Sequence, residues 1–551
     1  MNRAALLAAL ASMLVAGAPP GAAQAAAKPV SAAQAQRLAL GTAPFQREHR
    51  RHPGSYAQAK RKDAARWEVN LWARARPHRP DPQLGQAYVR RSDGRVLEVW
   101  TGPQVAWTMA RGYPGAFGRA ANNPWLWGVL ALLFVLPFID PRRPLCWRHA
   151  DLVALTAMSF SYAAFNDAHL DLSVPIADGV LAYLLVRLLC VGLRRAPVAV
   201  RAFRPRVPWQ VLAAGVLFLL GLRVGLNVLD GNVIDVGYAS VVGADKIDHG
   251  RALYGAFPSD IRQGDTYGPL MYLAYTPFEA IWPWHDRWDD LAAAHAAAAT
   301  FDIGCTGLLF LLGRRLGGIR LGVLLAYAWV AYPFTLLATN SGTNDALPAL
   351  LVLAALVAAG KPFGRGLFAA AAGLTKFAPL PLLPLLASHG LGGLPLRERV
   401  RPLILFIGGC GIALAVAALV VLPHSSLADM WDRTIGYQTG REAPFSLWGL
   451  YGGWWTGVQV ALGGVAVLLA AALPFVPRRD DVVGLAALSA ALLVAFQLVT
   501  NYWFYFYLLW ALPAVFIALL GRELLPRAAV MPEPAPTLAQ AHPLAAALSS
   551  G

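Results

Sequence analysis

WQVLAAGVLFLLGLRVGLNVLDGNVIDVGYASVVGADKIDHGRALYG, from Trp209 to Gly255, joins an apolar run to a polar stretch that carries Asp230, Asp235, Asp245 and Asp248. About 20 apolar residues cross the roughly 30 Å of bilayer hydrocarbon, and the run over 208–229 meets that length. Asp260 and Asp265 follow before the next long apolar run. Carboxylates kept against a bilayer surface are costly unless they are paired or used, so this stretch is where chemistry is expected.

Working outward, apolar runs recur near 123–139, 152–166, 173–193, 290–313, 319–338, 345–360, 402–422, 454–476, 482–499 and 502–521, and 366–390 reads as a hairpin of two shorter ones. The expected fold is a polytopic α-helical membrane protein of about thirteen spans. A chain that is 57% hydrophobic and 14% charged fits no soluble class. The net charge of +16 would suggest nucleic acid in a soluble protein. Here most of the arginine falls in short loops between apolar runs and in the N-terminal segment, and topology and anionic lipid account for it.

Arg142, Arg143 and Arg148, Arg194 to Arg206, Arg314 to Arg320, Arg397 to Arg401, and Arg478 and Arg479 all fall in loops that an odd span count makes cytoplasmic. The acidic stretch and the loop over 423–453 are then extracytoplasmic, and the chain is expected in the plasma (inner) membrane. TYGPLMYLAYTPFEAIWPW, Thr266 to Trp284, is apolar, yet a crossing there would invert every later loop. It reads as a re-entrant or interfacial helix starting at Gly268-Pro269, beside a cavity open to the outer side. The four cysteines lie in or beside spans and indicate neither a disulfide framework nor a thiolate metal site.

Residues 1–25 read as an export signal, with Arg3, an apolar stretch and a small-residue site. Residues 28–121 read as a separate extracytoplasmic α+β domain, with a helix near Ser31 to Leu40, a charged loop, and strands at RWEVNLWA, QAYVRR and RVLEVWTG. The last two strands are joined at Ser92-Asp93-Gly94. This order resembles PepSY-like modules, which implies a regulatory or binding role; a domain that only caps the membrane part is the alternative. Residues 123–207 are additional spans, 208–521 a core, and 522–551 a disordered cytoplasmic tail.

Several segments of the core resemble the polyprenyl-phosphate-dependent membrane glycosyltransferases of the GT-C class, nearest to glycosyltransferase family 87. Asp235 is followed by Tyr238, then Gly250 and Leu253-Tyr254; YGPLMYLAYTPFE matches a Pro-containing stretch, GLTKFAPLPLL a Lys-x-x-Pro hairpin, and NYWFYFYLLWALP an aromatic last crossing. The Asp-to-Tyr spacing is three where the family has four. The resemblance implies an inverting transfer of a sugar, mannose or another hexose or pentose, from a polyprenyl-phosphate donor. The acceptor would be an extracytoplasmic glycolipid, polysaccharide or protein.

Such chemistry needs a base for the acceptor hydroxyl and groups that hold the leaving phosphate. Asp235 is the expected base, with Asp230 as runner-up; the alternative is a helix cap. Arg441 suits the phosphate because a planar guanidinium holds two oxygens at once, and a pair with Glu442 is the alternative. Lys376, deep in apolar sequence, should face a cavity, an acid or a lipid phosphate, or else snorkel to the interface. Tyr238, Asp248, Tyr254, Tyr267 and Tyr505 complete the set expected to touch the donor. Asp245 and Asp248 flank Lys246 and His249, where salt bridging competes with metal ligation; no cofactor is indicated, and a divalent metal is an open alternative that the sequence does not indicate.

Asp302 and Asp178 should pair structurally, with Arg223 or Lys376 as candidates. The aromatic run Tyr502 to Tyr507 with Trp510 reads as an interfacial belt or a sugar-stacking surface. Asn340, Asn344 and Asp345 read as sugar contacts or helix caps. Two other functions compete: a transporter or lipid-carrier flippase, which predicts internal repeats and midplane polar residues, and a membrane sensor or assembly protein using its outer domain. No P-loop or dinucleotide fingerprint is present.

Overall fold

The computed structural model describes residues 29–74, 81–112, 119–194, 205–289, 291–439, 441, 443–453, 455–476 and 478–521. The export signal and the C-terminal tail lie outside the described residues, as do residues 195–204 and Glu442, the alternative partner of Arg441. The chain divides into two compact units, residues 1–111 and 112–551.

In the first unit, α1 (Ala32–Leu40) begins with a capping box in which Ser31 and Gln34 bond each other's backbone N–H groups at 3.3 and 2.9 Å. The expected charged loop is instead a second helix, α2 (Ala43–Arg51), and a strand, β1 (Tyr56–Arg61). Then follow β2 (Arg66–Trp72), β3 (Gln83–Arg90) and β4 (Val96–Thr101) in an antiparallel sheet of order β1-β2-β3-β4. α2 carries one deeply buried apolar anchor, Phe45, packed with Ala35, Ala39, Val69, Leu71, Ala87 and Val89. A single large apolar residue in nine leaves almost no periodic signal, so the sequence reading passed over the helix.

In the second unit every expected apolar run is helical: α3 (Pro124–Val135), α4 (Trp147–Asn166), α5 (Leu170–Gly192), α6 (Trp209–Asp230), then, after the polar stretch, α10 (Ala292–Ala331), α11 (Pro333–Asn340), α12 (Ala346–Val357), α13 (Pro362–Thr375), α14 (Leu383–Ala387), α15 (Leu396–Val421), α16 (Trp455–Ala472), α17 (Val482–Leu498) and α18 (Leu508–Val515). α10 breaks at Gly317-Gly318, where Gly318 takes φ +78°. Gly313 then lies against Gly322, so the chain folds back into the two runs that the sequence indicated.

Among the described residues, five helices are long and apolar enough to cross a membrane: α5, α6, α10, α15 and α16. α15 and α16 leave Leu403, Ile404, Leu419, Val465 and Leu468 exposed. Long helices that turn apolar side chains outward are the pattern of a multi-pass membrane protein. Within the unit, Arg223 of α6 lies across Asp302 of α10, Thr335 and Thr339, and Asp302 also accepts the Trp329 indole N–H at 2.8 Å. Asp302 thus takes the structural pairing expected of it. Asp178 accepts the Leu447 backbone N–H at 3.0 Å.

The polar stretch after α6 forms α7 (Asp235–Asp248), and Thr266 to Trp284 forms two short turns, α8 (Pro269–Leu273) and α9 (Thr276–Glu279). Gly268-Pro269 does open the first of them. The segment packs against α7 and α13, and neither turn by itself has the length of a membrane crossing.

Candidate active site

The first turn of α7 is fastened to the loop ahead of α12. Asn232 and Ile234 donate backbone N–H groups to Asn340 and Ser341 carbonyls at 2.9 and 3.0 Å. Asn344 donates its amide to Ser240 Oγ at 2.9 Å and to the Val236 carbonyl at 3.2 Å. A Cβ at Gly237 would lie 2.1 Å from the Gly342 carbonyl oxygen, so only glycine permits this approach.

A second close approach joins α8 to the α13–α14 hairpin. Gly268 donates its N–H to the Thr375 carbonyl at 2.9 Å, and a Cβ there would fall 2.0 Å from the Leu374 oxygen. Together these contacts bring Asp235, Tyr267, Asp345 and Lys376 from four separate segments to one place.

Asp235 is the first residue of α7 and its carboxylate accepts the Val236 N–H at 2.9 Å. It opens onto a polar cavity of about 290 Å³ shared with Asp260, Arg262, Gln263, Tyr267, Tyr437 and Arg441. The carboxylate reaches solvent through this cavity while protein crowds it on its other sides. That burial pushes its pKa above the usual carboxylate value, and the Val236 N–H, Arg441 and Lys376 hold it back in part.

Arg441 lies on the ring face of Tyr502, its Cζ 3.4 Å from the centroid, and 5.6 Å from that of Tyr437. Tyr437 donates to Gln263 Oε1 at 2.5 Å, joining the two outer walls. Behind the cavity, Lys376 forms an ion pair with Asp345. Its ammonium stands 5.2, 5.7 and 5.3 Å from the rings of Tyr267, Tyr507 and Trp510. Asp345 also accepts the Trp510 indole N–H at 2.8 Å and the Thr343 hydroxyl.

Of the residues singled out from sequence, Asp235, Tyr267 and Arg441 share the cavity, and Lys376 lies just behind it. Tyr238 and Tyr254 support its walls: the Tyr238 hydroxyl donates to Asp260 at 3.2 Å with its ring on Trp288, and the Tyr254 hydroxyl donates to the Tyr267 carbonyl at 3.1 Å. Asp248 lies elsewhere. At the exposed far end of α7 it is thirteen residues from Asp235, about 20 Å along a helix, and lies beside the Glu279 carboxyl.

Tyr505 is also placed away from the cavity, its hydroxyl bonded to Ser161 and Ser173 at 2.7 and 2.6 Å in an aromatic cluster with Tyr162. Its neighbours in the same run, Tyr502 and Tyr507, face the cationic groups instead. Asp230 accepts the Ala120 N–H at 2.7 Å. Asn340 donates to the Leu226 carbonyl at 3.0 Å, which uses its amide within the fold. Asp345 sits at the cap position of α12 with no capping bond, its carboxylate given over to Lys376; an acid heading an apolar run is the same pattern for either role. Among the described residues, no group of three or more His, Cys, Asp or Glu is placed to hold a metal ion.

Residues 266–501 match the glycosyltransferase family 87 model. The matched stretch takes in Tyr267, Asp345, Lys376 and Arg441, starts after Asp235, and ends at Asn501, just before Tyr502. No curated protein matches the chain, and no solved structure does. Over this stretch, somewhat under half of its length, the chain is similar to a family of glycosyltransferases.

Proposed function

We propose that the protein is an inverting membrane glycosyltransferase of the GT-C type that moves a sugar from a polyprenyl phosphate to an extracytoplasmic glycolipid, polysaccharide or protein. The observation that carries this reading, beside the family-87 match, is that Asp235 and Arg441 open onto one polar cavity. A base and a phosphate-holding group facing each other across such a space are what the transfer requires.

In this reading Asp235 takes the proton of the acceptor hydroxyl while the acceptor oxygen bonds the anomeric carbon. The bond from that carbon to the phosphate oxygen breaks, and polyprenyl phosphate leaves with the electron pair beside Arg441. One negative charge moves from the carboxylate to the phosphate, so the site's total charge is unchanged. Tyr267 and Tyr437 offer ring faces and hydroxyls to the sugar. Thirteen crossings would put this cavity on the outer side of the plasma membrane, and the N-terminal unit would be a PepSY-like accessory domain.

The test is transfer from radiolabelled polyprenyl phosphosugar by reconstituted protein, wild type against Asp235→Asn. General-base loss should lower turnover by about 10²- to 10⁴-fold. Undiminished transfer would remove Asp235 as the base, and no transfer from any lipid donor would favour a transporter or a sensor.

A further inference from the structure

The buried ion pair behind the cavity is not used by the transfer step as drawn above. Lys376 and Asp345 are both nearly inaccessible, and the three rings around the ammonium leave Asp345 as its charged partner. Both charges act on Asp235, with opposite signs. A bare ammonium at this place would draw the Asp235 carboxylate toward its ionised form and weaken it as a base.

We propose that Asp345 is a positioning residue for the transfer: by pairing with Lys376 it holds the ammonium behind Tyr267 and offsets much of the charge that Lys376 would otherwise impose on Asp235. The Trp510 N–H and the Thr343 hydroxyl fix its carboxylate in that orientation. The pair therefore leaves the cavity-lining guanidinium groups, with Arg441 on the phosphate side, as the cations that act on the cavity, while the base keeps its strength. This rests on the proposed function.

The other charged groups on the cavity wall are Asp260 and Arg262, and neither changes in the variants below. Tyr267, Tyr502 and Tyr507 also face Asp235, and burial holds each in its neutral form.

The experiment is the pH profile of kcat/KM for reconstituted protein with polyprenyl phosphosugar, its acidic limb assigned to Asp235 by its loss in Asp235→Asn. In Asp345→Asn the unpaired ammonium should move that limb down by about one pH unit, in the range of a nearby unlike charge, with the loss of rate in kcat and not in KM. Lys376→Gln should move the limb up, Asp345→Asn with Lys376→Gln should restore it, and Asp345→Glu should leave it in place. Should Asp345→Asn fail to fold, the upward shift in Lys376→Gln decides alone. Limbs that stay put in both single variants overturn the proposal even though Asp235 is the base. Absence of any Asp235-dependent limb in the wild type overturns the functional reading instead.

Discussion

Replacing Arg441 tests the phosphate side of the cavity. The guanidinium carbon lies 3.4 Å from the Tyr502 ring centroid, and the side chain lines the cavity. Two charge-assisted hydrogen bonds to a phosphate are each worth about 1.5–3 kcal/mol, and the stacking about 1–2 kcal/mol in a desolvated setting. If a little over half of this is realised only as charge builds on the leaving oxygen, Arg441→Gln loses about 3–4 kcal/mol. At about 1.4 kcal/mol per decade, that is a 10²- to 10³-fold fall in kcat/KM. Arg441→Lys keeps the charge but loses the planar fork, and should recover about one decade of it. The assay is steady-state transfer in proteoliposomes with donor concentration varied, kcat and KM being resolved separately. If Arg441→Gln stays within about threefold of wild type, or if Lys replaces Arg without loss, the guanidinium does not hold the leaving group.

Three further outcomes are expected. A base raised by burial is active only when deprotonated, so kcat/KM should fall as pH drops through a midpoint above the ordinary carboxylate value of about 4; a profile flat from pH 4 to 8 would refute a titrating Asp235. Gly237→Ala puts a Cβ against the Gly342 carbonyl and should part α7 from the loop before α12, lowering transfer by about 10- to 100-fold while far-ultraviolet circular dichroism stays unchanged. Arg223→Met strands the buried Asp302 carboxylate and should cost about 3–5 kcal/mol of stability, most of it recovered in Arg223→Met with Asp302→Leu; thermal unfolding in detergent reads both, and a double variant no better than the single would refute the pairing.

The aromatic run before α18 shows why part of the site resisted a reading from sequence. Tyr502, Tyr505 and Tyr507 are alike in type and spacing, yet Tyr505 turns into the aromatic cluster of α4 and α5, while Tyr502 meets Arg441 and Tyr507 meets Lys376. Side-chain direction there depends on a short irregular segment for which no period of 2 or 3.6 holds. Asp248 was misplaced for a related reason: it shares a helix with Asp235, and only the length of that helix carries it out of reach. Asp345 could be read as a cap because a cap and an ion-pair partner of a distant lysine have the same local sequence.

Apolar length by itself determined that the chain is a many-helix membrane protein, and charge pointed to the acids after α6 as the place to look, since bilayer thickness and the cost of charge in hydrocarbon act on composition alone. Tertiary structure decided which of those acids, Asp235 and Asp260, face a cavity and which cations, Arg262 and Arg441, line it with them. Pairings such as Lys376 with Asp345 or Arg441 with Tyr502 join residues 31 and 61 positions apart, and α7 and α8 reach the segments bearing Asp345 and Lys376 through close backbone approaches at Gly237 and Gly268 that packing, and no local pattern, sets.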